Sequence, residues 1–111
     1  MKSSTIYYGI IPLGGSKMND YIINFLKKIM AIDSPSGYTK EVIHYCQKEA
    51  EKLGFQTKKT HKGNLEIYVE GQDDYTVGFC GHVDTLGLMV RSIKSDGTLA
   101  FTNVGGPIIP T

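Results

Sequence analysis

From residue 19 onward the apolar positions recur at helical spacing. Ile22, Ile23, Leu26, Ile29 and Met30 mark one stripe, which predicts an amphipathic helix starting at Asn19, capped by Asn19 or Asp20. The stretch DSPSGYT then interrupts the period. Pro35 biases Ser34 away from helical backbone and Gly37 breaks the pattern again, so a loop is predicted. A second helix follows from about Thr39 to Leu53, with Val42, Ile43, Cys46, Ala50 and Leu53 on one face and Gly54 where helices commonly end. Its other face, with Lys40, Glu41, Gln47, Lys48, Glu51 and Lys52, is a solvated one.

After Gly54 the period becomes two. FQTKKT and LEIYVE read as strands joined across HKGN, and Leu65, Ile67 and Val69 alternate with polar neighbours as in a half-buried strand. GQDD is a turn. YTVGFC, residues 75–80, is apolar on both faces, which predicts an interior strand. LGLMVRSI and TLAFTNV flank KSDG, where Asp96-Gly97 signals a hairpin turn. Two helices followed by strands around one buried strand predict an α/β domain, with helices packed on a mixed sheet and a hairpin after it. Residues 1–17 carry Ser, Gly and Pro without a clear period and read as a leader, with Met18 an alternative natural start. The final GGPIIPT has no closing element. An interior strand needs neighbours on both edges and both faces, so exposed apolar surface is expected, and with it self-association or a complementing partner.

Composition narrows the classes. The 111 residues are 41% hydrophobic and 21% charged, which suits one globular domain. The formal net charge is +1, with Lys and Arg interleaved among Asp and Glu, so neither nucleic acid nor an acidic membrane surface is an expected partner. Two cysteines, Cys46 and Cys80, make no disulfide framework, and the cytoplasm is the simplest compartment. The apolar run after Lys2 is broken by Pro12, which argues against a signal peptide, and no stretch is long enough to span a bilayer.

The candidate chemistry lies in GFCGHVDTLG, residues 78–87. At the carboxyl end of a buried strand, alternation sends His82 and Asp84 to one side and Val83 to the other. One imidazole nitrogen could then ligate a divalent metal while the other donates to a carboxylate. The bland alternative is that Gly81-His82 opens a loop and Asp84 caps the next turn. Gly78, Gly81 and Gly87 leave space for backbone or ligand approach. His44 and His61 read as surface residues, and Cys80 as a small hydrophobe within the strand. Ser34 and Ser36 flank a proline with no identifiable base, which makes a serine nucleophile a poor reading. A catalytic metal takes about three protein ligands, and one convincing ligand is visible.

Taken in order, IDSPSGYTKEVIHYCQKEAEKLGF, KGNLEIYVEG, GFCGHVDTLGLMV and SIKSDGTLAFTNVGG resemble the start of the family of cobalt- or zinc-dependent aminopeptidases that includes glutamyl aminopeptidase, the tetrahedral aminopeptidases and proteins long labelled endoglucanase. The resemblance covers residues 18–106 and lies in the order of the segments. GHVDT also fits neighbouring dipeptidase and deacylase families, but those continue with proline and a segment rich in Trp and acidic residues. Thr85-Leu86-Gly87 departs from the Glu-Ile-Gly of the best-known aminopeptidases, which bears on substrate class. The resemblance implies that residues 18–85 form the first segment of a catalytic metallopeptidase domain and that 86–111 open an inserted β-rich domain used for homo-oligomeric assembly. It further implies two divalent metal ions, zinc or cobalt, with His82 a metal ligand and Asp84 the carboxylate that orients it. The substrate would be a peptide losing its amino-terminal residue. Since the family's other ligands and its general base lie farther along a much longer chain, the 111 residues alone are expected to be inactive. The remaining readings are a related metallo-dipeptidase, carboxypeptidase or deacylase, and a non-catalytic assembly fragment.

Overall fold

The computed structural model describes residues 15–72 and 74–106. Most of the leader reading and the closing PIIPT therefore lie outside the described residues. Helix α1 spans Gly15–Met30, beginning four residues before the predicted Asn19. The face that packs shares only Ile29 with the predicted aliphatic stripe. Tyr21, Phe25 and Ile29, at four-residue steps, are half-buried; the rings of Tyr21 and Phe25 stack at 6.3 Å, and those of Phe25 and Tyr45 at 5.9 Å. Ile22, Ile23, Leu26 and Met30 stay exposed. A single helix neighbour covers one strip of α1, and aromatic rings at that strip reach farthest across the gap.

Helix α2 spans Lys40–Lys52. Its inner face repeats every four residues through Val42, half-buried Cys46 and Ala50, and Val42 and Ala50 are the only buried apolar residues among those described; Leu53, expected on the same face, is exposed. Its end follows from Gly54, which adopts φ +86°. That left-handed turn lets Gly54 N–H donate to the Glu51 carbonyl and Phe55 N–H to the Ala50 carbonyl, each at 3.0 Å, which satisfies carbonyls the helix leaves open.

Strands β1 (Gln56–Lys59) and β2 (Leu65–Tyr68) form an antiparallel ribbon, with Gln56 opposite Tyr68 and Lys59 opposite Leu65. The ribbon is tied to α2 where Gln47 Nε2 donates to Thr57 Oγ1 at 3.2 Å. Strands β3 (Gly87–Ile93) and β4 (Leu99–Val104) form a second ribbon, with a register shift between Val90 and Ser92. Its turn is the one read from Asp96-Gly97: Asp96 Oδ1 accepts from Thr98 N–H at 2.9 Å and from Thr98 Oγ1 at 2.7 Å, with Gly97 at φ +83°.

The chain is thus an α/β arrangement in which two helices accompany two small antiparallel sheets. Among the described residues parallel pairing is confined to one isolated bridge between Pro35 and Thr85. The interior strand expected at residues 75–80 does not form. That segment is irregular and exposed throughout, with Phe79 at 96% exposure. A strand exists only as part of a ladder, and among the described residues no strand runs beside this one. Cys80, expected as a small core hydrophobe, is exposed for the same reason. The expected exposed apolar surface is present, at Ile67, Val69, Tyr75, Val77 and Phe79 among others. No described helix is long and apolar enough to cross a membrane.

Candidate functional site

The site is assembled where the loop after α1 meets the segment before β3. Ser34 is fully buried and its hydroxyl donates to the Val83 carbonyl at 3.0 Å. Thr85 N–H donates to the Ser34 carbonyl at 2.8 Å. Proline has no N–H to contribute, so the bridge at Pro35 draws on the carbonyl of the residue before it. Gly87 completes the junction from the other side. A Cβ there would lie 2.8 Å from Pro35 Cβ, a distance that forces a shift, so glycine is what allows the two segments to meet. A Cβ at Gly78 or Gly81 would meet nothing within 4 Å.

This junction sets His82 beside Asp84. His82 Nδ1 lies 3.1 Å from Asp84 Oδ1 and 3.1 Å from the Asp84 carbonyl oxygen. An ionised carboxylate and a backbone carbonyl only accept, so in the neutral imidazole Nδ1 carries the proton and the lone pair resides on Nε2. The His82 side chain is 86% exposed, which leaves that lone pair open to a ligand. The other Asp84 oxygen, Oδ2, accepts from Ser36 Oγ at 2.6 Å, a short contact of the kind a charged acceptor makes. The Ser36 hydrogen bond is the main cause holding the Asp84 carboxyl below its ordinary range. Partial desolvation works against it, while the Asp84 backbone N–H and the His82 imidazole add to the lowering.

From His82 and Asp84 an open groove of about 700 Å³ runs between α2 and the β1–β2 ribbon, walled by Phe25, Ile43, Leu53, Phe55, Leu65 and Val83. Cys46 also lines it, and burial pushes its thiol above the ordinary range. His44 and His61 are exposed and Cys80 is exposed; none of the three lines the groove. Among the described residues no three His, Cys, Asp or Glu side chains gather as a metal-binding group. The donor set fits one imidazole ligand with its supporting carboxylate, and stops there.

Ser34 and Ser36 are the residues whose part the sequence concealed. As nucleophile candidates they fail: one is buried against a carbonyl and the other is bound to a carboxylate. Their partners lie 49 and 48 residues away, a pairing no local pattern encodes. The available signal was two small hydroxyl residues around a proline, which suits a loop that satisfies a neighbouring backbone.

A family model described as M42 glutamyl aminopeptidase matches residues 63–110, a stretch that contains His82, Asp84 and Gly87. The chain is also 38% identical over 85 residues to "Putative aminopeptidase YhfE" of Bacillus subtilis (strain 168), an alignment covering 76% of this chain and 25% of that protein. It therefore spans about a quarter of the length of the curated relative it matches.

Proposed function

With this resemblance to the M42 glutamyl aminopeptidases as the premise, we propose that the chain contributes part of the active site of a metal-dependent aminopeptidase acting on peptides. In this reading His82 ligates one of two divalent ions, zinc or cobalt, through Nε2, and Asp84 holds the imidazole in the tautomer that makes this available. When bound, such ions polarise the carbonyl of the bond to be cut. What these residues do themselves is narrower: Asp84 keeps the His82 proton on Nδ1, and the Ser34–Thr85 pairing fixes the segment that carries both.

The observation that carries the reading is the family match over residues 63–110. Both comparisons carry the word aminopeptidase, which disfavours the dipeptidase, carboxypeptidase and deacylase alternatives. The exposed apolar surface supports a homo-oligomer, and the two free cysteines suit a cytoplasmic setting. One assay tests the activity. The polypeptide made from the native locus is expected to release nitroaniline from aminoacyl-nitroanilides in the presence of zinc or cobalt, and His82→Ala is expected to abolish this. Release that persists in His82→Ala would overturn the assignment. The isolated 111-residue chain is expected to be inactive, since a dinuclear centre needs more ligands than its described residues bring together.

A further inference from the structure

The assignment of His82 and Asp84 leaves Ser36 without a part. We propose that Ser36 is a positioning residue: its hydroxyl holds the Asp84 carboxylate in the orientation that keeps the His82 proton on Nδ1 and the lone pair on Nε2. The consequence for a metal rests on the reading above, whereas the geometry does not.

A carboxylate at the end of a short side chain turns easily about its last torsion. Asp84 is held at both oxygens, Oδ1 by His82 Nδ1 at 3.1 Å and Oδ2 by Ser36 Oγ at 2.6 Å. Gripped at two points, it cannot rotate without losing one of them. Ser36 makes this contact from a fixed platform, because the two residues before it are pinned to Val83 and Thr85. The two serines therefore divide the work: buried Ser34 joins the segments, and exposed Ser36 sets the side chain that faces the imidazole. Without the Ser36 hydroxyl, Oδ2 turns to water, Oδ1 swings with it, and His82 Nδ1 keeps only the backbone carbonyl of Asp84 as an acceptor. One acceptor in place of two weakens the bias toward the Nδ1–H tautomer.

The test reads that tautomer directly. Long-range ¹H–¹⁵N spectra of the 111-residue chain, recorded well above the imidazole titration range, distinguish Nδ1–H from Nε2–H for each histidine. Wild type is expected to show His82 as Nδ1–H. Ser36→Ala is expected to lower the Nδ1–H to Nε2–H ratio at His82 by roughly threefold to tenfold, the scale of one ordinary net hydrogen bond, with exposed His44 and His61 unchanged. Ser36→Thr and Ser36→Val share a shape and differ by the hydroxyl, so Thr should restore the wild-type ratio and Val should not. This pair separates loss of the hydroxyl from any disturbance of the loop. An unchanged ratio in Ser36→Ala, or equal ratios in the Thr and Val variants, overturns the proposal. Absence of peptidase activity in the native-locus polypeptide would remove the functional reading and leave these spectra as they are, so the two failures are distinguishable.

Discussion

Residues 75–80 and 82–87 are neighbours in one continuous run, yet they end in opposite conditions. The second is fixed by Ser34, Pro35 and Ser36 through two main-chain or side-chain hydrogen bonds to its backbone, one to its carboxylate, and a close approach at Gly87. The first carries more apolar side chains and is bare, with Tyr75, Val77 and Phe79 all exposed. Hydrophobic character says what a segment would bury itself against, and only a partner within reach decides whether it does. The polar contacts of Ser34 and Ser36 have their partners inside these 111 residues; the apolar faces of Tyr75, Val77 and Phe79 do not have theirs among the described ones.

The sharpest way to break this contrast is a matched pair of glycine substitutions. Gly87→Val drives a side chain into Pro35 and is expected to cost about 3 kcal/mol, at the upper end for overpacking. Gly78→Val meets nothing and should stay within about 0.5 kcal/mol, as surface changes do. Denaturant melts of the two variants check this, and comparable losses would erase the difference between the segments.

A smaller effect is expected from Ser34→Ala. It leaves the Val83 carbonyl without its buried donor, at about 1–2 kcal/mol. Amide exchange should quicken at Thr85, whose N–H is held by the same residue's carbonyl, while Val77 and Phe79 exchange as before. The smallest effect separates local from long-range fixation. The Asp96 carboxyl sits below its ordinary range because Thr98 donates to it from its N–H and, second, from its hydroxyl. A depressed folded-state value means that this contribution is complete above the unfolded carboxylate's pKa and is lost as pH falls through the folded one. Acid should therefore loosen the β3–β4 turn, and Asp96→Asn should remove that part of the pH dependence; chemical shifts of Thr98 across an acid titration report it.

Much of this arrangement was legible in the sequence. On the apolar face read for α2, Val42 and Ala50 are buried and Ile43 and Cys46 half-buried, while Leu53 at its end is exposed; Gly54 marked the helix end and Asp96-Gly97 a turn, because each is determined by residues within a few positions of itself. The family resemblance was legible as well, since it lies in the order of quoted segments. The packing face of α1 was only partly so: its aliphatic stripe is the stronger local signal, but of that stripe Ile29 alone is half-buried, and Phe25 stacks on Tyr45 of α2 with Tyr21 stacked against Phe25. Nor was the part played by Ser34 and Ser36, whose partners stand 49 and 48 residues away. Residues 75–80 are apolar on both faces, which predicts an interior strand, yet they form none, because burial is a property of neighbours and not of the segment.

In the function proposed above, His82 offers Nε2 as an open metal ligand, with Nδ1 engaged by Asp84. Substoichiometric Co²⁺ added to the 111-residue chain while its three histidines are followed by NMR tests this most directly, because a paramagnetic ion broadens the resonances nearest to it. The His82 ring is expected to broaden first, ahead of His44 and His61, and Asp84→Asn is expected to weaken this preference. Equal broadening of all three histidines, or broadening led by His44 or His61, would contradict it.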